Sequence, residues 1–435
     1  MNPIIAILWL LIFSKLLLFW LWLWQLKEYH LGRFKAHFEG QWLKKIISSF
    51  WRQKYPKFTK KIILIFLASL ATEILLFLHF SFPRVIILTI FLIPLLVLSF
   101  QIPASIWRKI IINRAKAKRA EFKNLLVVGI AGSYGKTSTK EFLATILSEK
   151  FKVLKTKEHQ NSEVGISQCI LNDLKPEHQI FVVEMGAYNR GGIKLLCDIA
   201  KPRIGILTGI NEQHMATFGS LEKIIKTKYE LIESLPEDGA AFFNAKNEYC
   251  LELYGQTKIK KNLYGKEANF SGGENILGAM AVAKEFKMGE EEISRAVEKI
   301  ENKMPGIQIK KGINGLTIID ATYSANPDGV LAHLEYLKKI SGRKIIIMPC
   351  LIELGKATVE NHKRIGQKIG EVCDLAIITT KDRFKEIKEG APNALFLENP
   401  KEIFEKIKVF CLEGDIVLLE SRVPVKLIQQ LTAGN

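Results

Sequence analysis

Three apolar runs within the first 102 residues constrain this chain more than any other feature. Pro3–Leu26 is broken only by Lys15 and the polar Ser14 and Gln25, Ile62–Phe80 carries the single charge Glu73, and Val85–Ile102 carries none. Crossing the hydrocarbon core of a bilayer takes about 20 apolar residues, so the spacing predicts three transmembrane helices. The first run is too long for a removable signal peptide and lacks a small-residue cleavage site. A buried helix of a soluble protein is an alternative for the third run alone. The link Ser81-Phe82-Pro83-Arg84 forces a tight hairpin between the second and third runs.

Charge orients these runs. The net charge is +18, but residues 27–61 hold +8 of it, residues 108–123 hold +6, and Lys15, Glu73 and Arg84 add +1, leaving +3 for residues 124–435. Nucleic-acid binding by the large C-terminal part therefore lacks its electrostatic footprint, and no nucleic-acid partner is expected. Basic segments beside spans stay on the cytoplasmic side. The N-terminus is then outside and everything after Arg108 inside, which gives a multi-pass protein of the cell membrane in contact with lipid. The stretch "QWLKKIISSFWRQKYPKF" sets Trp42, Ile46, Ile47, Phe50 and Trp51 among lysines. It reads as a helix in the headgroup layer or as a loop. A lone charge in lipid is costly, so Lys15 either pairs with Glu73 or snorkels to the interface. The six cysteines form no CxxC pair, which argues against a zinc ribbon and fits small core residues in a reducing compartment.

A chain of 435 residues has room for two or three domains. From Asn124 onward strand and helix patterns alternate, as in a mostly parallel sheet covered on both faces. "NLLVVGI", "HQIFVVEMGA", "RIGILTGI" and "GAAFFNA" read as strands of one unit, which helices in residues 272–300 close. "GLTIIDATYSANPD", "RKIIIMPC", "DLAIITT", "ALFLEN" and "DIVLLES" begin a second series after Pro305-Gly306. The expected class is α/β, with a membrane region at 1–123, a P-loop-type domain at 124–304 and a Rossmann-like domain at 305–435.

Between the first strand and its helix lies Gly132-Ser133-Tyr134-Gly135-Lys136-Thr137-Ser138. Glycines there let backbone N–H groups turn toward phosphate oxygens. Lys136 would reach the β- and γ-phosphates, and the Thr137 hydroxyl would bind Mg²⁺. Position 130 is Ile rather than Gly, so the pattern is the shorter GxxGK[ST]. Glu184 ends a strand, where a second Mg²⁺ ligand belongs; a solvated strand-end acid is the plainer reading. His214 in "GINEQHMATFGS" also follows a strand and is a candidate for a metal or phosphate. Lys228, taken alone, is a surface lysine.

The succession "GSYGKTS…NSEVG…VVEMGA…GINEQHMATFGSLEKIIKTKYELIESLPEDGAAFFNAKN…GGENILGAMA…MPG…IIDATYSANPD…ELG…H" resembles the Mur ligases over roughly residues 124–430. It looks most like the branch that adds D-alanyl-D-alanine to a muramoyl tripeptide. The resemblance implies an ATP- and Mg²⁺-dependent ligase of cell-wall precursor synthesis that forms an amide through an acyl phosphate. Its substrates would be a UDP- or lipid-linked muramoyl peptide and an amino acid or dipeptide. It further implies that Lys136 stabilises the γ-phosphate, that Thr137 and Glu184 hold one Mg²⁺, and that His214 helps hold a second. Lys228 matches a carbamylated lysine supporting that second ion, Asn275 an adenine contact, and Asp320, Tyr323 and Asn326 the segment that closes on the nucleotide. Gly132, Ser133, Gly135 and Ser138 complete the nucleotide cradle.

The sequence also departs from the family. Apolar runs stand where the family places a UDP-binding domain. Ser162, Lys246, Glu274, Gly278, Ile307, Cys350 and the stretch Leu419-Glu420-Ser421-Arg422 replace family residues. The triphosphate end of the site is therefore better kept than the ends that recognise UDP and the amine. Rival readings are a γ-glutamyl-adding ligase of the folate or polyglutamate type and a nucleotide-binding scaffold for cell-wall synthesis partners. A transporter ATPase is weaker, since three spans leave little pore.

Overall fold

A computed structural model describes residues 3–26, 55–85, 87–89, 99–157, 160–267, 273–301, 307–322 and 326–432. The chain divides into two compact units, residues 1–113 and 114–435.

In the first unit, helices Pro3–Leu26 and Lys60–His79 pack Phe13, Leu17 and Leu21 against Ile62 and Ile65. Their outer faces stay apolar: Ile4, Leu8 and Leu11 on one helix and Leu64, Leu67 and Leu78 on the other are exposed. The segments Ile7–Gln25 and Lys60–His79, with mean hydropathy 2.0 and 2.3, are long and apolar enough to cross a membrane. Buried Glu73 accepts hydrogen bonds from Trp9 Nε1 at 2.6 Å and from Thr89 Oγ1 at 3.0 and 2.8 Å. Among the described residues it forms no ion pair with Lys15; neutral donors satisfy the carboxylate instead. Thr89 lies past the break at Phe80–Ser81, so its bond to Glu73 folds the chain back across the expected hairpin. Most of the third apolar run and the segment carrying Trp42, Ile46, Ile47, Phe50 and Trp51 lie outside the described residues.

Helix Gln101–Glu121 carries much of the second basic segment, yet part of that charge is structural. Buried Arg119 donates to the carbonyls of Ala200, Phe122 and Leu125 at 3.0, 2.8 and 3.0 Å, and Lys118 donates to Leu171 O at 2.9 Å.

The second unit is built on two six-stranded sheets. The first contains β1 (Leu126–Ala131), β2 (Val153–Lys155), β3 (Ile180–Glu184), β4 (Ile204–Leu207), β5 (Ala240–Asn244) and β6 (Lys260–Tyr264). Its order is β2-β3-β1-β4-β5-β6, parallel throughout. The second contains β7 (Gln308–Lys311), β8 (Thr317–Ala321), β9 (Lys344–Met348), β10 (Leu375–Ile378), β11 (Ala394–Phe396) and β12 (Ile416–Glu420). Its order is β11-β10-β9-β12-β8-β7, with only β7 antiparallel to its neighbour. β9 explains the unbroken apolar strands: Ile346 and Met348 enter one core while Ile345 and Ile347 enter the other. A parallel sheet covered on both faces has no solvent side on which to place polar residues. Both sheets direct the carboxyl ends of their central strands into loops that carry the polar residues, the usual ligand edge of such folds.

Candidate active site

The loop between β1 and helix Lys136–Leu147 depends on two glycines. At Gly135 φ is +76°, and a Cβ there would lie 2.5 Å from Asn275 Oδ1; at Gly132 a Cβ would lie 2.2 Å from Thr208 Oγ1. Ser133 N donates to Gly209 O at 2.6 Å, and its hydroxyl accepts from Asn211 N at 3.2 Å. No side chain caps the helix that follows, and the first-turn N–H groups of such a helix are suited to an anion. Half-buried Lys136 curls back, its Nζ donating to the carbonyls of Gly132 and Ser133 at 2.9 and 3.0 Å.

Beside this loop, Thr137 Oγ1 donates to Glu184 Oε2 at 2.9 Å. Asn161 Nδ2 donates to the other carboxylate oxygen at 3.0 Å, and the Lys140 ammonium stands 3.6 Å from Oε2. Lys140 is fully buried, and its ammonium also pairs with Glu141 Oε1 at 3.2 Å. Two hard oxygen donors, a hydroxyl and a carboxylate, therefore meet at the mouth of the phosphate loop. Among the described residues no three His, Cys, Asp or Glu side chains converge into an all-protein metal cage. That donor set fits Mg²⁺, which keeps most of its waters and is held by one or two carboxylates together with phosphate oxygens.

His214 caps the short helix Met215–Phe218 with φ +67°. Its Nδ1 lies 2.7 Å from Glu353 Oε2, and the Tyr188 ring meets it edge-on at 5.1 Å. Burial holds the imidazole below its usual pKa, with the Glu353 carboxylate opposing; Lys228 and Lys136 lower it further. Lys228, on helix Leu221–Glu233, is 3% exposed and faces the Phe218 ring at 6.0 Å. Burial, then repulsion from Lys136, lowers its pKa to about 7. Lys136 is itself lowered by burial, with Glu184 opposing. Lys136, Glu184, His214 and Lys228 thus share one electrostatic neighbourhood.

The other expected residues are placed as follows. Asn275, buried on helix Gly273–Glu285, accepts a bond from Thr139 Oγ1 at 3.2 Å and abuts Gly135. Asp320 is held by Lys310 Nζ and Thr322 Oγ1, both at 2.7 Å. Asn326 caps helix Pro327–Lys338 by accepting from Gly329 N at 2.9 Å. Tyr323 lies outside the described residues. At the departures, Glu420 is buried against His333 Nδ1 at 2.6 Å, and Cys350 lies against Thr380, whose hydroxyl accepts from Cys350 N at 2.8 Å.

Sequence reasoning missed the bonds that join the two lobes of this unit. Asn211 Nδ2 donates to Asp328 Oδ2 at 2.5 Å, and Ala216 N donates to Glu353 O at 3.2 Å, beside the His214–Glu353 contact. All of these residues sit in segments already singled out, "GINEQHMA", "SANPD" and "ELG". One sequence carries no signal for which members of those segments pair.

Comparison with known proteins follows the same outline. The chain matches the Mur ligase middle domain over residues 130–307 and the Mur ligase glutamate ligase domain over residues 307–422. It belongs to the Mur ligase family. A relative from Synechocystis sp., a UDP-N-acetylmuramoyl-tripeptide–D-alanyl-D-alanine ligase, is 28% identical over 71% of this chain and 75% of its own length. The structure of MurF ligase from Thermotoga maritima in complex with ADP is 26% identical, with TM-score 0.65 over 74% of this chain and 82% of that one. MurF from Acinetobacter baumannii, 22% identical over 75% and 80%, shares the fold with TM-score 0.68.

Proposed function

We propose that this chain is a membrane-anchored ligase that uses ATP and Mg²⁺ to join an amino acid or dipeptide, D-alanyl-D-alanine foremost, to a muramoyl peptide. The observation that carries it is the gathering of Lys136, Thr137, Glu184, His214 and Lys228 at one edge of a parallel sheet. Lys136 turns its ammonium from the loop carbonyls to the β- and γ-phosphates. Thr137 and Glu184 hold the first Mg²⁺, and His214 with Lys228 supports a second. Bound Mg²⁺ neutralises charge on the phosphates as it develops. A substrate carboxylate displaces ADP from the γ-phosphorus; the amine then attacks the acyl phosphate carbonyl, loses a proton, and expels phosphate. Bringing two anions together is the main barrier, and fixed positive charge answers it. The burial that lowers Lys228 to about 7 leaves free amine at neutral pH to combine with CO₂, releasing a proton and leaving an anionic carbamate.

The apolar outer faces of helices Pro3–Leu26 and Lys60–His79 support anchoring in the cell membrane. They stand where the family places a UDP-binding domain, which favours a lipid-linked acceptor and a cytoplasmic ligase unit. The full-length protein in detergent should release ADP only when a muramoyl tripeptide and D-alanyl-D-alanine are both present. ADP release indifferent to the acceptor would reject the substrate assignment. A preference for UDP-linked over undecaprenyl-linked acceptor would reject the lipid-linked reading. A scaffold that binds nucleotide without turnover is favoured by one observation, the sealed Glu420–His333 pair at the second sheet's edge. Nucleotide binding with no product across the acceptor panel is the result that would establish it.

A further inference from the structure

We infer that Glu353 is a positioning residue through which closure of the C-terminal lobe completes the second cation site, by fixing the ring of His214 from across the lobe boundary. The inference rests on the two-cation reading proposed above.

An ionised carboxylate only accepts hydrogen bonds, so at 2.7 Å from Oε2 the His214 Nδ1 must carry the proton. In the neutral imidazole Nε2 then carries the lone pair. A carboxylate behind a histidine in this manner fixes the tautomer and orientation of a metal ligand and strengthens it as a donor. The carboxylate here comes from the other lobe: His214 follows β4 of the first sheet, and Glu353 follows β9 of the second. In an open arrangement the imidazole would keep its place on the first lobe but lose this constraint.

The backbone supports the same assignment. His214 and Glu353 adopt φ of +67° and +68°, two of six non-glycine residues in the left-handed region among the described residues. Such strain persists where the surroundings over-determine it. Leu351 and Leu354, both buried in the second sheet's core, hold Glu353 between them. Glu353 O accepts from Ala216 N at 3.2 Å, two residues from His214. Gly355, at φ +53°, approaches so closely that a Cβ would lie 3.2 Å from Ala216 N. The side chain and backbone of one strained segment thus grip the other.

Manganese binding to the full-length protein in detergent, followed by electron paramagnetic resonance with a non-hydrolysable ATP analogue, tests this. Wild type should bind two ions. Glu353→Gly removes the carboxylate and relieves the backbone; it should keep the first ion and the nucleotide, and bind the second 10- to 100-fold more weakly. Glu353→Gln, which retains an acceptor for Nδ1–H, should recover part of that loss. Small-angle scattering should show the nucleotide-bound Glu353→Gly protein less compact than wild type. Two ions held with wild-type affinity by Glu353→Gly would overturn the inference and leave the two-cation reading intact. A single ion in wild type would remove that reading, and this inference with it.

Discussion

The two sheets of the ligase unit are alike in size and burial but opposite in how they treat charge at their carboxyl edges. At this edge of the second sheet the strand-end acids Asp320 and Glu420 are closed upon Lys310 and His333. On the first, among the described residues, Lys136 donates only to carbonyls of its own loop and Lys228 faces an aromatic ring, whereas buried Lys140 is paired with Glu141 and Glu184. Charge left uncompensated inside a protein is costly, so Lys136 and Lys228 mark the edge at which the proposed anionic ligand would complete the structure. The second edge is finished without one. The lobes divide the labour accordingly: one supplies unsatisfied positive charge, and the other supplies a rigid frame that reaches across through Asp328 and Glu353.

The sharpest way to break this contrast is to remove one charge from each edge. Lys136→Ala should lower acceptor-dependent ADP release about 10²- to 10³-fold, the usual cost of one preorganised charge-stabilising donor. Its thermal stability should hold or rise, since burial already disfavours the Lys136 ammonium. Kinetics and a melting curve on the same sample check both halves. A variant that melts early instead would make Lys136 a structural residue like its counterparts on the second sheet.

Glu420→Ala should do the reverse. Burial raises the Glu420 pKa while His333 opposes it, and removing the acid strands a partner that is 17% exposed. Breaking a buried pair of this kind costs about 3 kcal/mol, to be read from urea denaturation. Affinity for an ATP analogue, which the proposed site places mainly on the first sheet, should stay at the wild-type value. Loss of nucleotide binding without loss of stability would show that Glu420 belongs to the ligand edge.

The same contrast explains what could be read from the sequence. The central strands were plain because two covered faces demand runs such as "KIIIM" in β9 and "IFVVE" in β3. The edge strands β2, β6 and β7 escaped notice. "KKNLY" and "QIKK" are half-exposed and lysine-rich, which is how a sheet edge avoids pairing with other chains and how a loop looks. The phosphate loop was legible for a related reason: glycine, lysine and threonine at fixed spacing answer to a ligand whose shape does not vary. Residues that answer to other residues were not. Nothing in "LIELG" says that its acid reaches a histidine 139 positions earlier, and nothing in "KTSTKEF" separates the fully buried Lys140 from the half-buried Lys136 of the loop. Lys15 and Glu73 invited pairing by charge alone, and Trp9 and Thr89 satisfied the acid instead.

The smallest effect concerns the segment that presents Glu353. His362 Nε2 accepts the Leu351 N–H at 2.9 Å, and its Nδ1 lies 2.6 Å from Thr358 O. The neutral imidazole protonated at Nδ1 satisfies both contacts. Burial lowers the His362 pKa, against the pull of the Thr358 carbonyl and Glu386. Because the folded pKa lies below the unfolded value, the unfolded chain binds more protons between the two, and stability rises with pH there. The contribution is complete above the unfolded value of about 6.5 and is lost as pH falls through that window toward the folded one. A proton on Nε2 would set two donors against each other and release Leu351, two residues before Glu353. His362→Gln should cost about 1 kcal/mol at pH 7.5, the worth of one hydrogen bond, and should flatten the acid side of the stability curve. Urea titrations of both proteins from pH 7.5 to 5 measure it. Parallel curves would assign the acid sensitivity to another group and leave His362 as packing alone.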